Sequence, residues 1–330
     1  MKDVRKRVLP GLAIFASAVF ALSVSAQNAA ALEKVKVGKS VATAITFAPL
    51  EIGVKAGTWA KNGLELDIQI FRGASQAMQA LTSGSVEIAL SSGPSLAFIK
   101  KGVPAKGVAA FANAPLNMVL VGASNSKITA LGELRGKKVG VTSAGSLTNW
   151  LIRETNARKG WTSNNITAVP LGGSRTQLAA MERKEIQGRV AALAQGIEHE
   201  MDGSGKILVK FGDVIQDFIT HVIYARDDTI AQRPKVVAAF LKGWWDTVDY
   251  MSKHHDETVK WAAEIVGQPE AAVDRALPDV MKMLTQADGS FDPAALKTLA
   301  RSFVELKILD SEPDMSQLYT TQFLPVKRSM

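Results

Sequence analysis

Short apolar runs alternate with helical runs along most of this chain, joined by turns of small residues, and that alternation limits the fold more than any single motif. Val35–Val37, Leu64–Ile70, Val86–Leu90, Val108–Phe111 and Met118–Val121 read as strands. Between them Phe47–Ala56, begun near Pro49, Ala74–Leu81 and Pro94–Lys100 read as helices. A second group repeats the style without a sequence repeat. Val139–Thr142, Ile166–Pro170, Ile186–Ala192, Ile207–Phe211 and Ile219–Ala225 read as strands, Leu147–Arg158 and Ser174–Arg183 as helices. From Arg233 onward the pattern is helical: Pro234–Ser252, Glu257–Val266, Glu270–Leu284 and Pro293–Leu306. Strands too apolar to face water, separated by helices, predict an α/β fold with mainly parallel sheets covered on both faces.

Composition bounds the rest. At 330 residues, 47% hydrophobic and 21% charged, the chain can bury a large core and divides naturally into two lobes. Of the formal +8 charge, +3 comes from the first residues, where Lys2, Arg5, Lys6 and Arg7 outweigh Asp3. The remaining basic residues are dispersed; Lys100-Lys101 and Lys137-Lys138 are too sparse for a nucleic-acid face. The absence of cysteine excludes disulfides, thiolate nucleophiles, zinc–thiolate sites and a lipid anchor on cysteine.

The basic start, the small apolar run Leu9–Val24 and the site Val24-Ser25-Ala26 fit a secretory signal, residues 1–26, with Ala29-Ala30-Ala31 as a second cleavage candidate. Gly11, Ser17, Ser23 and Ser25 dilute the run, which is short for a spanning helix. Arg5 and Arg7 are split by Lys6, so the twin-arginine route is not expected.

Leu131–Val141 passes through a basic Gly-Lys pair into a strand, and Thr142-Ser143-Ala144-Gly145-Ser146 then opens into a helix. With no large side chain in that loop, backbone N–H groups and a helix start can approach a small anion. Ser143, Gly145, Ser146 and Thr148 are therefore expected to bind ligand.

Glu133-Leu134-Arg135-Gly136-Lys137 resembles the run that precedes this strand in bacterial solute-binding proteins of the nitrate/taurine/aliphatic-sulfonate ABC-transporter family. Phe71-Arg72-Gly73-Ala74-Ser75 is similar to that family's turn after the second strand, and Ala80–Glu87 to its Ala-Leu-x-x-Gly-x-hydrophobic-acid signature. Ser91-Ser92-Gly93-Pro94, Arg233–Leu241, Phe303–Leu309 and Pro313-Asp314 follow in the family's order, so the resemblance spans about Val35–Leu324. One departure stands out. Many members carry an Asp-Ala pair and a later proline where this chain has Gly188–Gly196.

The resemblance implies a type II periplasmic-binding-protein fold: lobe one at 33–122, lobe two at 123–221, and 222–330 as a return crossover with C-terminal helices on lobe one. Crossovers are expected near Gly122–Lys127 and Tyr224–Asp228. It implies a periplasmic, monomeric carrier with no cofactor and no metal. A small solute would be closed between the lobes and passed to a membrane permease with its ATPase. Site residues implied or read as candidates are Thr46 and Phe47, Gly73, Ala74 and Ser75, Ser91, Ser92 and Gly93, and the second-lobe and crossover residues Gln195 and His221. Ser75 could equally cap its helix. Arg72 and Arg175 are candidate cleft arginines that could equally face solvent, Trp150 is a candidate aromatic cleft wall with a core position as the alternative, and His254-His255 reads as surface. Alternatives remain open: a pyrimidine-precursor or aromatic-acid binder, a sensory receptor subunit, or an enzyme like the thiamin-pyrimidine synthases, whose Cys-rich motif is missing here.

Overall fold

The structure, a computed structural model, describes residues 31–162 and 164–326; the signal-peptide reading falls outside them. Each half of the chain alternates strand and helix as the apolar pattern requires. The first contains β1 (Glu33–Lys39), α1 (Pro49–Ala56), α2 (Thr58–Lys61), β2 (Leu64–Ile70), α3 (Ala74–Ser83), β3 (Ile88–Ser92), α4 (Leu96–Lys100) and β4 (Ala105–Asn113). The second contains β5 (Met118–Ala123), β6 (Lys137–Val141), α5 (Leu147–Arg158), β7 (Ile166–Pro170), α6 (Ser174–Glu182), β8 (Gly188–Ala192), α7 (Leu193–Met201) and β9 (Gly205–Lys210). There follow β10 (Ile219–Arg226), α8 (Asp227–Gln232), α9 (Pro234–Lys253), α10 (His255–Val266), α11 (Glu270–Gln286) and α12 (Pro293–Glu305).

Two five-stranded sheets result, ordered β2-β1-β3-β10-β4 and β7-β6-β8-β5-β9. Neither is wholly parallel. β1 is parallel to β2 and β3, and β6 to β7 and β8, but β10 runs antiparallel to both its neighbours and so does β5. The reason is chain exchange: a strand arriving directly from the other sheet enters without a helical crossover to reverse its direction.

This moves the expected lobe boundaries. Met118–Val121 belongs to the second sheet and Ile219–Ala225 to the first. The chain therefore crosses at 114–117 and 211–218, before the positions read from the sequence. The C-terminal helices also reach past the first sheet. Buried Val273, Ala276 and Leu277 of α11 share a core cluster with Leu193, Ala194 and Ile197 of α7. On another side Trp150 Nε1 of α5 donates to Glu305 Oε2 of α12 at 2.8 Å.

Fully buried aromatic residues fix this core. Trp244 and Trp245 are both sealed, Phe111 meets Trp244 edge-on at 4.8 Å, and Trp150 stacks on Phe218 with centroids 4.0 Å apart. Trp150 is thus a core residue and not a cleft wall. His255 stays at the surface, its Nε2 2.8 Å from Asp274 Oδ1. Among the described residues no helix is long and apolar enough to cross a membrane.

Candidate functional site

A cavity of about 500 Å³ opens between the carboxyl ends of the two sheets' parallel strands. The location follows from topology, since strand ends and helix starts there leave turns whose side chains cannot all be buried in a sheet. From the first sheet come the turn Ser40–Ala44 after β1, Phe47, the Ile70–Arg72 end of β2, Ala74 and Ser92. From the second come Thr142, Leu147 and Thr148, the start of α6 at Gly173–Gln177, and the end of β8 with Gln195. Met118 and His221, each at the start of an exchanged strand, form the back.

The charge of this lining is one-sided. Among the described residues it includes Arg72, Arg175 and Arg189 and no aspartate or glutamate. Arg72 and Arg175 are exposed at the mouth, whereas Arg189 is 2% exposed in the interior of β8. Its Nη2 donates to Gln195 Oε1 at 3.0 Å, and Gln195 Nε2 donates to Ser174 Oγ at 2.7 Å. Nε and Nη1 are buried without a hydrogen-bond partner. Burial pushes the Arg189 pKa down to about 10, with Glu198 opposing, so the guanidinium stays charged at neutral pH. The buried cation of the first sheet differs: Lys39 forms an ion pair with Glu51.

His221 is 4% exposed and is held between Phe47, 4.8 Å away, and Phe111, stacked at 5.5 Å. Burial lowers its pKa to about 3, so the ring is neutral. Nε2 lies 3.4 Å from both Thr46 Oγ1 and Asn117 Nδ2. The other ring nitrogen, Nδ1, is a buried atom with no hydrogen-bond partner among the described residues. In the last turn of α7, burial and the Arg189 charge lower the pKa of His199 to about 4, and its Nδ1 meets Ser204 Oγ at 2.6 Å.

The cavity brings together Phe47, Ala74, Ser92, Thr148, Gln195 and His221 of the residues expected from sequence. Thr46 lies one layer behind, against His221. The others sit elsewhere. Ser91 Oγ pairs with Ser95 Oγ at 2.9 Å, and Gly93 lies flat beneath the carbonyl oxygen of Ile219, where a Cβ would collide. Gly73, at φ 142°, faces Ser143, whose Oγ would be 3.0 Å from an added Cβ; Ser75 Oγ donates to Ala144 O at 3.3 Å. The Gly73 and Ser75 contacts hold a turn of the first sheet against a turn of the second.

The small-residue loop is likewise a structural turn. Ser146 caps α5, accepting from Asn149 N at 3.3 Å and donating to Ser143 O at 2.7 Å. The Gly145 N–H is taken by Asn149 Oδ1, and its left-handed backbone (φ 70°) lies against Ile308 and Phe98. Thr142 and Thr148 alone of this stretch line the cavity beside Leu147. Ser143, Gly145 and Ser146 lie outside the cavity lining: the Gly145 N–H goes to Asn149, the Ser146 hydroxyl to Ser143 O, and Ser143 Oγ accepts from Ser75 Oγ at 3.4 Å.

Arg72 and Arg175, the two arginines that the sequence offered for the cleft, line the cavity; sequence reading passed over the turn Ser40–Ala44, the neighbours of Arg175 at the start of α6, Asn117 and, above all, Arg189. The signal for Arg189 was present: a lone charge inside the apolar run Ile186–Ala192, within the segment that departs from the family pattern.

A family model described as NMT1/THI5 like matches residues 44–258. A provisionally named binding protein of Brucella abortus (strain 2308) is 22% identical over 284 residues, 84% of this chain and 87% of its own. The alkanesulfonate-binding protein SsuA from Xanthomonas axonopodis pv. citri, bound to MOPS, superposes with a TM-score of 0.73 at 15% identity, covering 90% of this chain and 98% of SsuA. The periplasmic nitrate-binding protein NrtA from Synechocystis PCC 6803 gives 0.69 at 16% identity, covering 86% and 84%.

Proposed function

Since the chain belongs to the NMT1/THI5-like family and has the fold of substrate-binding proteins of ABC import systems, we propose that it captures a small anionic solute and delivers it to a membrane permease with its ATPase. One observation carries the reading: a cavity between two sheets, lined by three arginines and no carboxylate. Such a lining raises the local concentration of anions and opposes cations. The two structural neighbours named above bind a sulfonate and nitrate, both anions.

In this reading the first lobe is 33–113 with the segment from Ile219 onward, and the second is 118–210. The lobes close on the solute as rigid bodies about the two crossing segments, and their closed faces give the permease a surface to recognise. The protein is exported to the periplasm with its leader removed, acts as a monomer and is not an enzyme. His221, neutral and flanked by two phenylalanine rings, Thr46 and Asn117, has no carboxylate among these contacts to orient it as a base.

The experiment is a thermal-shift panel followed by calorimetry, with taurine, alkyl sulfonates, nitrate, aromatic carboxylates and pyrimidines. A solute selective for the folded chain raises its melting temperature, by a stabilisation of about 2.7 kcal/mol at a hundred times Kd. Anions alone should do so. A response confined to neutral or cationic compounds refutes the anionic reading.

A further inference from the structure

We infer that Arg189 is the anchor of the cleft, and that the solute is an organic acid with one oxyanion head, an apolar body and no cationic group. The inference rests on the solute-binding reading and narrows it.

A guanidinium has five N–H donors arranged along two edges that each present a parallel pair. Gln195 uses one hydrogen of Nη2, the nitrogen shared by both edges. Whichever edge Gln195 occupies, the remaining Nη2 hydrogen and either Nε or Nη1 form a complete pair, and both of those atoms are buried without a partner. No carboxylate forms an ion pair with Arg189 among the described residues; Glu198 acts on it only at longer range. A sealed cation without a contacting counter-ion is costly, and a bound oxyanion removes the cost by filling the vacant edge. Gln195, held in turn by Ser174, is the positioning residue that keeps the fork in one orientation.

The remaining lining defines the rest of the molecule. Phe47, Ile70, Phe71, Met118 and Leu147 offer apolar surface, so a body of several carbons is accommodated. A zwitterion is rejected for a specific reason. Its ammonium would be desolvated in a cavity holding three arginines and no acidic side chain. Carboxylate and sulfonate heads share the chemistry that the fork recognises, and the test separates them.

Calorimetry and melting curves of the full chain with hexanoate, benzoate, hexane-1-sulfonate, taurine, hexylamine and uracil test this. One or more of the first three should bind, and their ranking assigns the head group. Arg189→Met should weaken that binding by about 100-fold or more, because truncating one partner of a buried charge pair leaves the other unpaired. Arg189→Lys, which keeps charge but not the fork, should recover only part of the loss. The ligand-free Arg189→Met protein should melt no lower than wild type, since the substitution removes an uncompensated buried charge. An arginine serving the fold alone would give the reverse pattern: a lower melting temperature and unchanged affinity. Binding retained in Arg189→Met, or taurine, hexylamine or uracil binding at least as well as the acids, overturns this inference while leaving a solute-binding function standing. Silence of all six probes with wild type overturns this inference, and the solute-binding reading falls with it when nitrate is silent too.

Discussion

Acidification should destabilise this protein through two histidines that are neutral when folded. His221 and His199 have folded pKa values lowered to about 3 and about 4 from 6.5, chiefly by burial. Above about pH 7.5 both rings are almost wholly neutral in both states, so neither residue affects stability. As pH falls below 6.5 the unfolded chain takes up a proton at each ring while the folded chain does not, and stability is lost until the folded pKa is reached. From about pH 7.5 to about pH 5 the proton-binding difference integrates to about 2 kcal/mol for each ring, about 4 kcal/mol together. Carboxylates add their own dependence, so the measured quantity is a difference. Urea unfolding at 25 °C at both pH values should show wild type losing about 2 kcal/mol more than either His199→Gln or His221→Gln. The double variant should lose about 4 kcal/mol less than wild type. If both single variants keep the full wild-type pH dependence, the rings are not sealed as described, and the reasoning that makes His221 a neutral cavity wall fails with them.

The other two predictions concern contacts outside the cavity. Gly145→Ala imposes the left-handed backbone on a residue with a Cβ and pushes against the flexible end of Ile308, so stability should fall by about 1–2 kcal/mol in urea titrations while solute affinity changes less than about tenfold. A larger loss of affinity than of stability would mean that the 142–146 loop holds the solute after all. Trp150→Phe deletes the hydrogen bond from α5 to Glu305 of α12, which should cost about 1.5–3 kcal/mol because the acceptor is charged. An unchanged unfolding midpoint would show that this contact contributes nothing to holding the two elements together.

The alternation of strands and helices could be read from the chain because it is a local property. Val139–Val141 must be buried on both faces, Pro49, Pro94, Pro234 and Pro293 sit where helices begin, and no tertiary information is needed to see either. Strand order is different. Met118–Ala123 and Ile219–Arg226 look like their neighbours in composition, yet each pairs with strands more than fifty residues away and runs against them. Only the direction in which the chain arrives decides this, and periodicity does not record direction. α7 was missed for a related reason: Leu193–Met201 continues the apolar run of β8 without a break, capped by Ala192 with no side-chain hydrogen bond to mark the start.

The site separates along the same line. Small residues after a strand mark a place where backbones approach closely, and Gly73, Gly93 and Gly145 do mark such places. What approaches them is protein: Ser143, the Ile219 carbonyl and Ile308. Sequence gives the closeness without the partner, so a loop that seats one lobe on the other reads the same as a loop that seats an anion. Arg189 gives the opposite signal. A charge in a strand interior contradicts its surroundings, and a fold tolerates the contradiction when something answers the charge. Lys39 shows what an internal answer looks like, with Glu51 against it. Among the described residues Arg189 is met by Gln195, which supplies a hydrogen-bond acceptor and no charge, with Glu198 acting at longer range. The local rule broken without a compensating partner therefore singles out a functional position more sharply than the glycines, which satisfy every local rule and serve the fold.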